Sequence, residues 1–197
     1  MRKISLQRKT KETLIKINLV IEGKGRYKIR TTNPFFDHML ELFSFWGSFN
    51  LKLEAHQSKE LDFHHLNEDI GIALGQAFLK ILKKEKNIKR YSSKIIPMDG
   101  SLVRLALDIS GRPGIYLDLG KAKKFFLKNI ENYNLNLLRQ FLKAFTDNFK
   151  VTLHVDILKA DDAHHVIEAI FKGLGQVVKE ALSYESGRKL PSTKGKL

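Results

Sequence analysis

One short pattern occurs twice in this chain. His64-His65-Leu66-Asn67-Glu68 and His164-His165-Val166-Ile167-Glu168 both read H-H-x-x-E, and they stand a hundred residues apart. The agreement runs on through Ile70 and Ile170, Leu74 and Leu174, Gly75-Gln76 and Gly175-Gln176, and Leu82 and Leu182. A repeat on this scale constrains the fold before any local pattern does, because it calls for two similar units. Since it also repeats metal-ligand residue types, it bears on the chemistry.

On a helix, the first His and the Glu of the motif are four apart, and the second His and the Glu are three apart. These side chains occupy neighbouring parts of one face. Adjacent His residues diverge by about a hundred degrees, so they are suited to feeding two sites rather than one. Imidazole with carboxylate, and no thiolate, suits Mn, Fe or Zn. His38, within Phe35-Phe36-Asp37-His38-Met39-Leu40, is a further donor, and Asp37 could orient a ring. The bland alternative is a pair of His residues at helix starts, each paired with a Glu one turn on.

The rest of the chain supports two like halves. Residues 13–21 alternate, with Ile15, Ile17, Leu19 and Ile21 on one side, as in a half-buried strand. Gly23-Lys24-Gly25 predicts a turn, with residues 26–30 returning as a second strand. Asn33-Pro34 predicts a helix start, and Gly47 its end. Leu51 and Leu53 mark a third strand, and the first H-H-x-x-E opens a helix reaching about residue 86. In the second half the spacing predicts strands over 102–109, 115–119 and 151–158. Helices are predicted over 134–149 and from the second H-H-x-x-E to about residue 182. The expected architecture is α+β, a single domain over 1–197. Two pseudo-symmetric halves, about 1–90 and 91–190, precede a short tail over 190–197.

Composition narrows the function classes. Cysteine is absent, which excludes disulfides and thiolate metal sites and fits a cytoplasmic location. There is no apolar run of membrane-spanning length and no secretory leader. The net charge of +14 invites a nucleic-acid reading. The basic residues are mostly Lys spread along the chain, without a basic stripe or interleaved aromatics, so a solvated surface that attracts small anions accounts for them better.

The chain resembles the imidazoleglycerol-phosphate dehydratase family over almost its whole length. The resemblance is carried by Arg8-x-Thr10-x-Glu12-Thr13, Phe35-Phe36-Asp37-His38-Met39-Leu40, His64-His65-x-x-Glu68-Asp69-Ile70-Gly71 and Arg90-Tyr91. It continues with Pro97-Met98-Asp99, Asp108-Ile109-Ser110-Gly111-Arg112-Pro113, Thr152-Leu153-His154, His164-His165-x-x-Glu168-Ala169-x-Phe171-Lys172 and Pro191-Ser192-Thr193-Lys194-Gly195. It implies two tandem repeats of a four-stranded sheet packed with two helices, ribosomal protein S5 domain 2-like. It also implies a homo-oligomer, typically a 24-mer, with sites at subunit interfaces and a pair of Mn ions. The reaction implied is loss of water from D-erythro-imidazole glycerol phosphate to give imidazole acetol phosphate in histidine biosynthesis. A metal-bound imidazolate and a diazafulvene-like intermediate would carry it.

Carried over residue by residue, the resemblance gives His38, His64, His65, Glu68, His164, His165 and Glu168 as metal ligands. Glu12 is the implied proton carrier, with Asp99 and Lys172 behind it. Arg90, Arg112, Ser192 and Lys194 are the implied phosphate partners. Without the family, Glu12 reads as an ordinary surface Glu, Lys172 as an intrahelical partner of Glu168, and the four phosphate candidates as solvated turn and tail residues.

Three departures from the family pattern stand out. Leu42 and Trp46 occupy places where the family has Gln and His, and Lys59-Glu60-Leu61 replaces Gly-Asp-Leu. Gln140 stands where the family has a metal-ligand His, and corresponds in the second half to His38 in the first. The expectation is that each repeat receives a residue from the helix before it. His38 would then serve the first and Gln140 the second, whose metal site is weakened or completed by water. These departures motivate an alternative, a family-fold protein that binds metal and a phosphorylated ligand with reduced or lost activity.

Overall fold

The computed structural model describes residues 2–58, 62–83, 87–127 and 130–185. The first half runs β1 (Lys3–Lys9), β2 (Thr13–Val20), β3 (Tyr27–Arg30), α1 (Pro34–Trp46), β4 (Asn50–Gln57) and α2 (Phe63–Leu82). The second half repeats this order with β5 (Tyr91–Met98), β6 (Ser101–Asp108), β7 (Gly114–Asp118), α3 (Leu135–Phe149), β8 (Thr152–Lys159) and α4 (Ala163–Ala181). A 3-10 segment over Gly120–Leu127 has no counterpart among the described residues of the first half.

The two four-stranded sheets have the same topology, β1-β2-β4-β3 and β5-β6-β8-β7. The sequence predicted β3 as the return of a hairpin with β2, and the structure corrects this. β1 and β4 pair antiparallel along the two edges of β2, so neither edge is left for β3. It joins the far edge of β4 in parallel instead, which requires a crossover, and α1 supplies it. The sequence pattern does not mark β1 or β5. Each is an edge strand with mixed burial, so its alternation is weak.

The helices begin where short polar side chains cap them. Asn33, Asp62, Asn134 and Asp162 each accept a backbone N–H of the first turn. α1 and α2 pack on the first sheet, and α3 and α4 on the second. Across the halves, α2 lies against α3 and α1 against α4. Glycine makes both approaches possible. A Cβ at Gly75 would stand 2.6 Å from the Phe145 carbonyl oxygen, and one at Gly175 would strike the main chain of Phe43. Phe36, Phe43, Phe78, Phe141, Phe145 and Phe171 fill the space between the four helices. The buried residues of both halves form one continuous core.

Candidate functional site

The His pair of each H-H-x-x-E lies in the first turn of its helix, with the Glu in the turn that follows. The Asp62 carboxylate accepts the His64 N–H at 2.9 Å, and the Asp162 carboxylate accepts the His165 N–H at 2.8 Å. The cap therefore fixes where the His pair leaves the helix, and two clusters form around the two pairs.

In the first cluster, His64 Nε2 lies 3.8 Å from Glu68 Oε2, and His65 Nδ1 lies 3.2 Å from Glu12 Oε2. The two rings are 5.3 Å apart and turned by 50°. Gln140 comes in from α3, with Nε2 3.1 Å from His64 Nδ1. A cavity of about 390 Å³ opens here, lined by Asp62, Phe63, His64, Asn134, Asn136 and Gln140. Beneath it, Asp69 holds Arg8 and Thr13 and so ties the β1–β2 turn that carries Glu12 to α2.

In the second cluster, His38 Nε2 lies 3.0 Å and His164 Nε2 3.6 Å from Glu168 Oε1. Lys172 Nζ donates to Glu168 Oε2 at 3.2 Å, the intrahelical pair that the spacing allowed. Burial alone would raise the Glu168 carboxyl, but hydrogen bonds from His38 and Lys172 outweigh it and hold the group below its ordinary value. His165 Nε2 stands 3.3 Å from Asp99 Oδ2, and His165 Nδ1 stands 3.0 Å from Asp161 Oδ2. The hydrogen bond to Asp161 raises the His165 ring against desolvation, with Asp162 and Asp99 adding to it.

The two clusters match piece by piece. Glu12 and Asp99 sit in equivalent strand turns, each beside the second His of a pair. The pairing with the preceding helices, however, is crosswise. His38 of the first half meets Glu168 of the second, and Gln140 of the second half meets His64 of the first. The expectation that each repeat draws on the helix before it is thus overturned. The cause is the packing of α1 on α4 and of α2 on α3.

The donor set fits a divalent metal of the Mn, Fe or Zn type, since imidazole nitrogens and carboxylate oxygens, without thiolate, approach one another in both clusters. Among the described residues, Asp161, Asp162 and His165 alone bring three His or carboxylate donor atoms within 4.8 Å of one another. Asp161 is engaged by Ser101 and by the Gly100 N–H, and Asp162 caps α4, so both have structural work. Among the described residues, the His and Glu of neither H-H-x-x-E come together in a three-donor set of that span.

Arg90 and Arg112 are not brought to either cluster. Arg90 forks onto Asp108, and its N–H donates to the Ala181 carbonyl at the far end of α4. That lies about 26 Å along the helix from His164, counting 1.5 Å per residue. Arg112 belongs to the same pole, where its carbonyl accepts from Thr152 Oγ1. Ser192 and Lys194 lie outside the described residues, as do Lys59-Glu60-Leu61. Of the other departures, Leu42 packs against the core, while Trp46 is exposed with its ring edge-on to Phe45.

The sequence reading missed Glu131, whose Oε1 lies 3.4 Å from His164 Nδ1. No motif marks it; a left-handed backbone at Glu131 and Asn132 delivers the side chain. It also missed Tyr133, which is fully buried and donates to Asn67 Oδ1 at 3.2 Å. Asn67 in turn donates to the Leu137 carbonyl at 2.8 Å. Ring contacts run from His164 through Phe35 and Tyr133 to Phe63, next to His64, so one aromatic layer supports both clusters.

The profile of the imidazoleglycerol-phosphate dehydratase family matches residues 31–178. The chain is 49% identical to the imidazoleglycerol-phosphate dehydratase of Thermoanaerobacter pseudethanolicus over 99% of both chains. It is 43% identical to that of Geobacter sulfurreducens over 100% of this chain and 99% of the other. Among solved structures, the Pyrococcus furiosus enzyme in complex with (S)-C348 superposes with a TM-score of 0.83 at 34% identity, covering 98% of this chain and 100% of that one. The Staphylococcus aureus enzyme superposes with a TM-score of 0.81 at 32% identity, covering 93% of this chain and 99% of that one. With the repeated fold and both His clusters in place, the chain belongs to the imidazoleglycerol-phosphate dehydratase family.

Proposed function

We propose that this chain carries out the family's reaction at sites completed between copies of the chain. The reaction is dehydration of D-erythro-imidazole glycerol phosphate to imidazole acetol phosphate in histidine biosynthesis, in the cytoplasm. The observation that carries the interface reading is the distance between the two poles. His164 of the second cluster and the Ala181 carbonyl that binds the Arg90 N–H stand about 26 Å apart along α4, farther than one small phosphorylated imidazole can reach. Arg90 and Arg112 of one copy, placed against a His cluster of another, give the ring and the phosphate partners together. A homo-oligomer follows, and the 24-mer of the family is the expected form.

His38, His164 and Glu168 would contribute to one divalent ion and His64 and Glu68 to another, while His65 and His165, which diverge from their neighbours, would each feed a different site from the adjacent His, with Mn the expected metal. When bound, the metal orients the imidazole ring and stabilises negative charge on it. The protein residues divide the remaining work. The carbon-bound proton is not acidic, so a carboxylate must stand beside it. Glu12 is half-exposed, free to reach outward, and oriented by His65. Asp99 is its pseudo-equivalent beside His165. Lys172 is largely buried against Glu168, so its role is to keep that carboxylate ionised and in place. The alternative of a ligand-binding relative without the reaction is not favoured, since relatives across the full chain length are dehydratases.

Water loss from imidazole glycerol phosphate by the purified, Mn-loaded protein tests the reaction directly. No turnover at full metal loading would sink it. Mixing tests the shared site: Arg90→Ala and Glu168→Gln oligomers are each expected to be inactive, and oligomers reassembled from both to recover activity. Failure of the mixture to recover would place each site within one chain.

A further inference from the structure

His64 and His164 have matching neighbours at both ring nitrogens. In each ring Nε2 faces the glutamate four residues on, at 3.8 Å to Glu68 and 3.6 Å to Glu168. In each, Nδ1 meets a group from α3 or the segment leading into it: Gln140 at 3.1 Å for His64, and Glu131 at 3.4 Å for His164. A carboxylate only accepts, so Glu131 calls for a hydrogen on Nδ1 of His164. A neutral ring then has its Nε2 lone pair on the side of Glu168.

Gln140 can serve either polarity. Its amide presents nitrogen or oxygen to the ring after a half-turn about its last bond. With nitrogen towards His64, the carbonyl oxygen is buried without a hydrogen-bond partner. The half-turn brings this idle acceptor to Nδ1 and makes the two halves alike. A metal-bound His commonly donates its second ring N–H to a carbonyl or carboxylate, which fixes the tautomer.

We propose that Gln140 is a positioning residue for His64: its carbonyl oxygen accepts the Nδ1–H, holds one tautomer, and leaves the Nε2 lone pair beside Glu68 for a divalent metal. The inference rests on the metal reading given under Proposed function. It replaces the expectation of a weakened site with one in which the glutamine supports a histidine ligand instead of being one. Gln140 thereby does for His64 what Glu131 does for His164.

The test compares the full chain as wild type, Gln140→Glu and Gln140→Met. Titration with Mn²⁺ alone reads metal affinity. Nitrogen NMR of isotope-labelled histidine, in metal-free protein with neutral rings, reads the His64 tautomer, with the signal assigned by its loss in His64→Asn. The expected wild-type tautomer carries hydrogen on Nδ1. Gln140→Glu keeps both tautomer and affinity, because it keeps the acceptor. Gln140→Met loses about 10- to 100-fold in affinity at one site and mixes the tautomers. A wild-type His64 with hydrogen on Nε2 overturns the proposal, as does a methionine variant that binds like wild type. If the wild type binds no Mn²⁺, the metal reading fails, while the tautomer measurement on the wild type still decides the role of Gln140.

Discussion

Replacing Gly75 by Ala tests the close approach that joins the two halves. The new Cβ would lie 2.6 Å from the Phe145 carbonyl oxygen and 2.9 Å from both Phe149 N and Asn148 Cβ, where ordinary van der Waals contact begins near 3.4 Å. α2 and α3 must therefore part by about 0.8 Å in a close-packed interior. Two of those neighbours are main-chain atoms of a helix, so no side chain can swing away to relieve the clash. Overpacking of this kind costs about 1–3 kcal/mol. Alanine returns about 1 kcal/mol of helix propensity. With main-chain atoms that cannot yield, the cost falls in the upper part of that range, about 2–3 kcal/mol, so the net loss is about 1–2 kcal/mol, which for a chain of this size lowers Tm by about 2–8 °C. Thermal unfolding at fixed protomer concentration measures it, because an oligomer's Tm depends on concentration. Gly114→Ala is the control, since its Cβ would meet only the ring edge of the exposed Tyr116, at 3.3 Å. An unchanged or raised Tm for Gly75→Ala, with propensity winning, would refute the claim that backbone approach sets the α2–α3 pairing.

Three further outcomes are expected. Tyr133→Phe removes the donor to Asn67 Oδ1 in a fully buried place, and stability should fall by about 1–3 kcal/mol in denaturant titration. Glu180 is held below its ordinary carboxyl value of 4.5 by hydrogen bonds from Lys89 and Lys94. Its stabilising contribution is present above that value and is lost as pH falls through the lower folded value, so Glu180→Gln should flatten the acid limb of Tm against pH. Glu168→Gln keeps the shape but removes the charge that gathers His38, His164 and Lys172, and turnover should fall about 100-fold or more, with Mn²⁺ affinity falling alongside.

Much of the local structure was readable from residue types. Asn33-Pro34 and Gly47 bound α1 as the cap rules require, and Asp62 and Asp162 place each His pair in a first helical turn. The Glu168–Lys172 pair follows from a spacing of four. The hairpin expected for β3 failed because the rule used only the adjacent turn, while β2 had already given both edges to strands that are not its neighbours in that turn. Glu131 escaped notice because a left-handed backbone, which leaves no mark in composition, aims it at His164.

The sequence alone determined the repeat, the capped helices and the chemistry of the two His pairs, because each of those depends on residues within a turn or two of one another. Only the tertiary structure decided which helix serves which pair. Gly75 and Gly175 allow main chain to meet main chain across the halves, so His38 reaches Glu168 and Gln140 reaches His64. Such pairing depends on which helix surfaces can approach most closely, a property of two distant segments together that neither segment carries by itself.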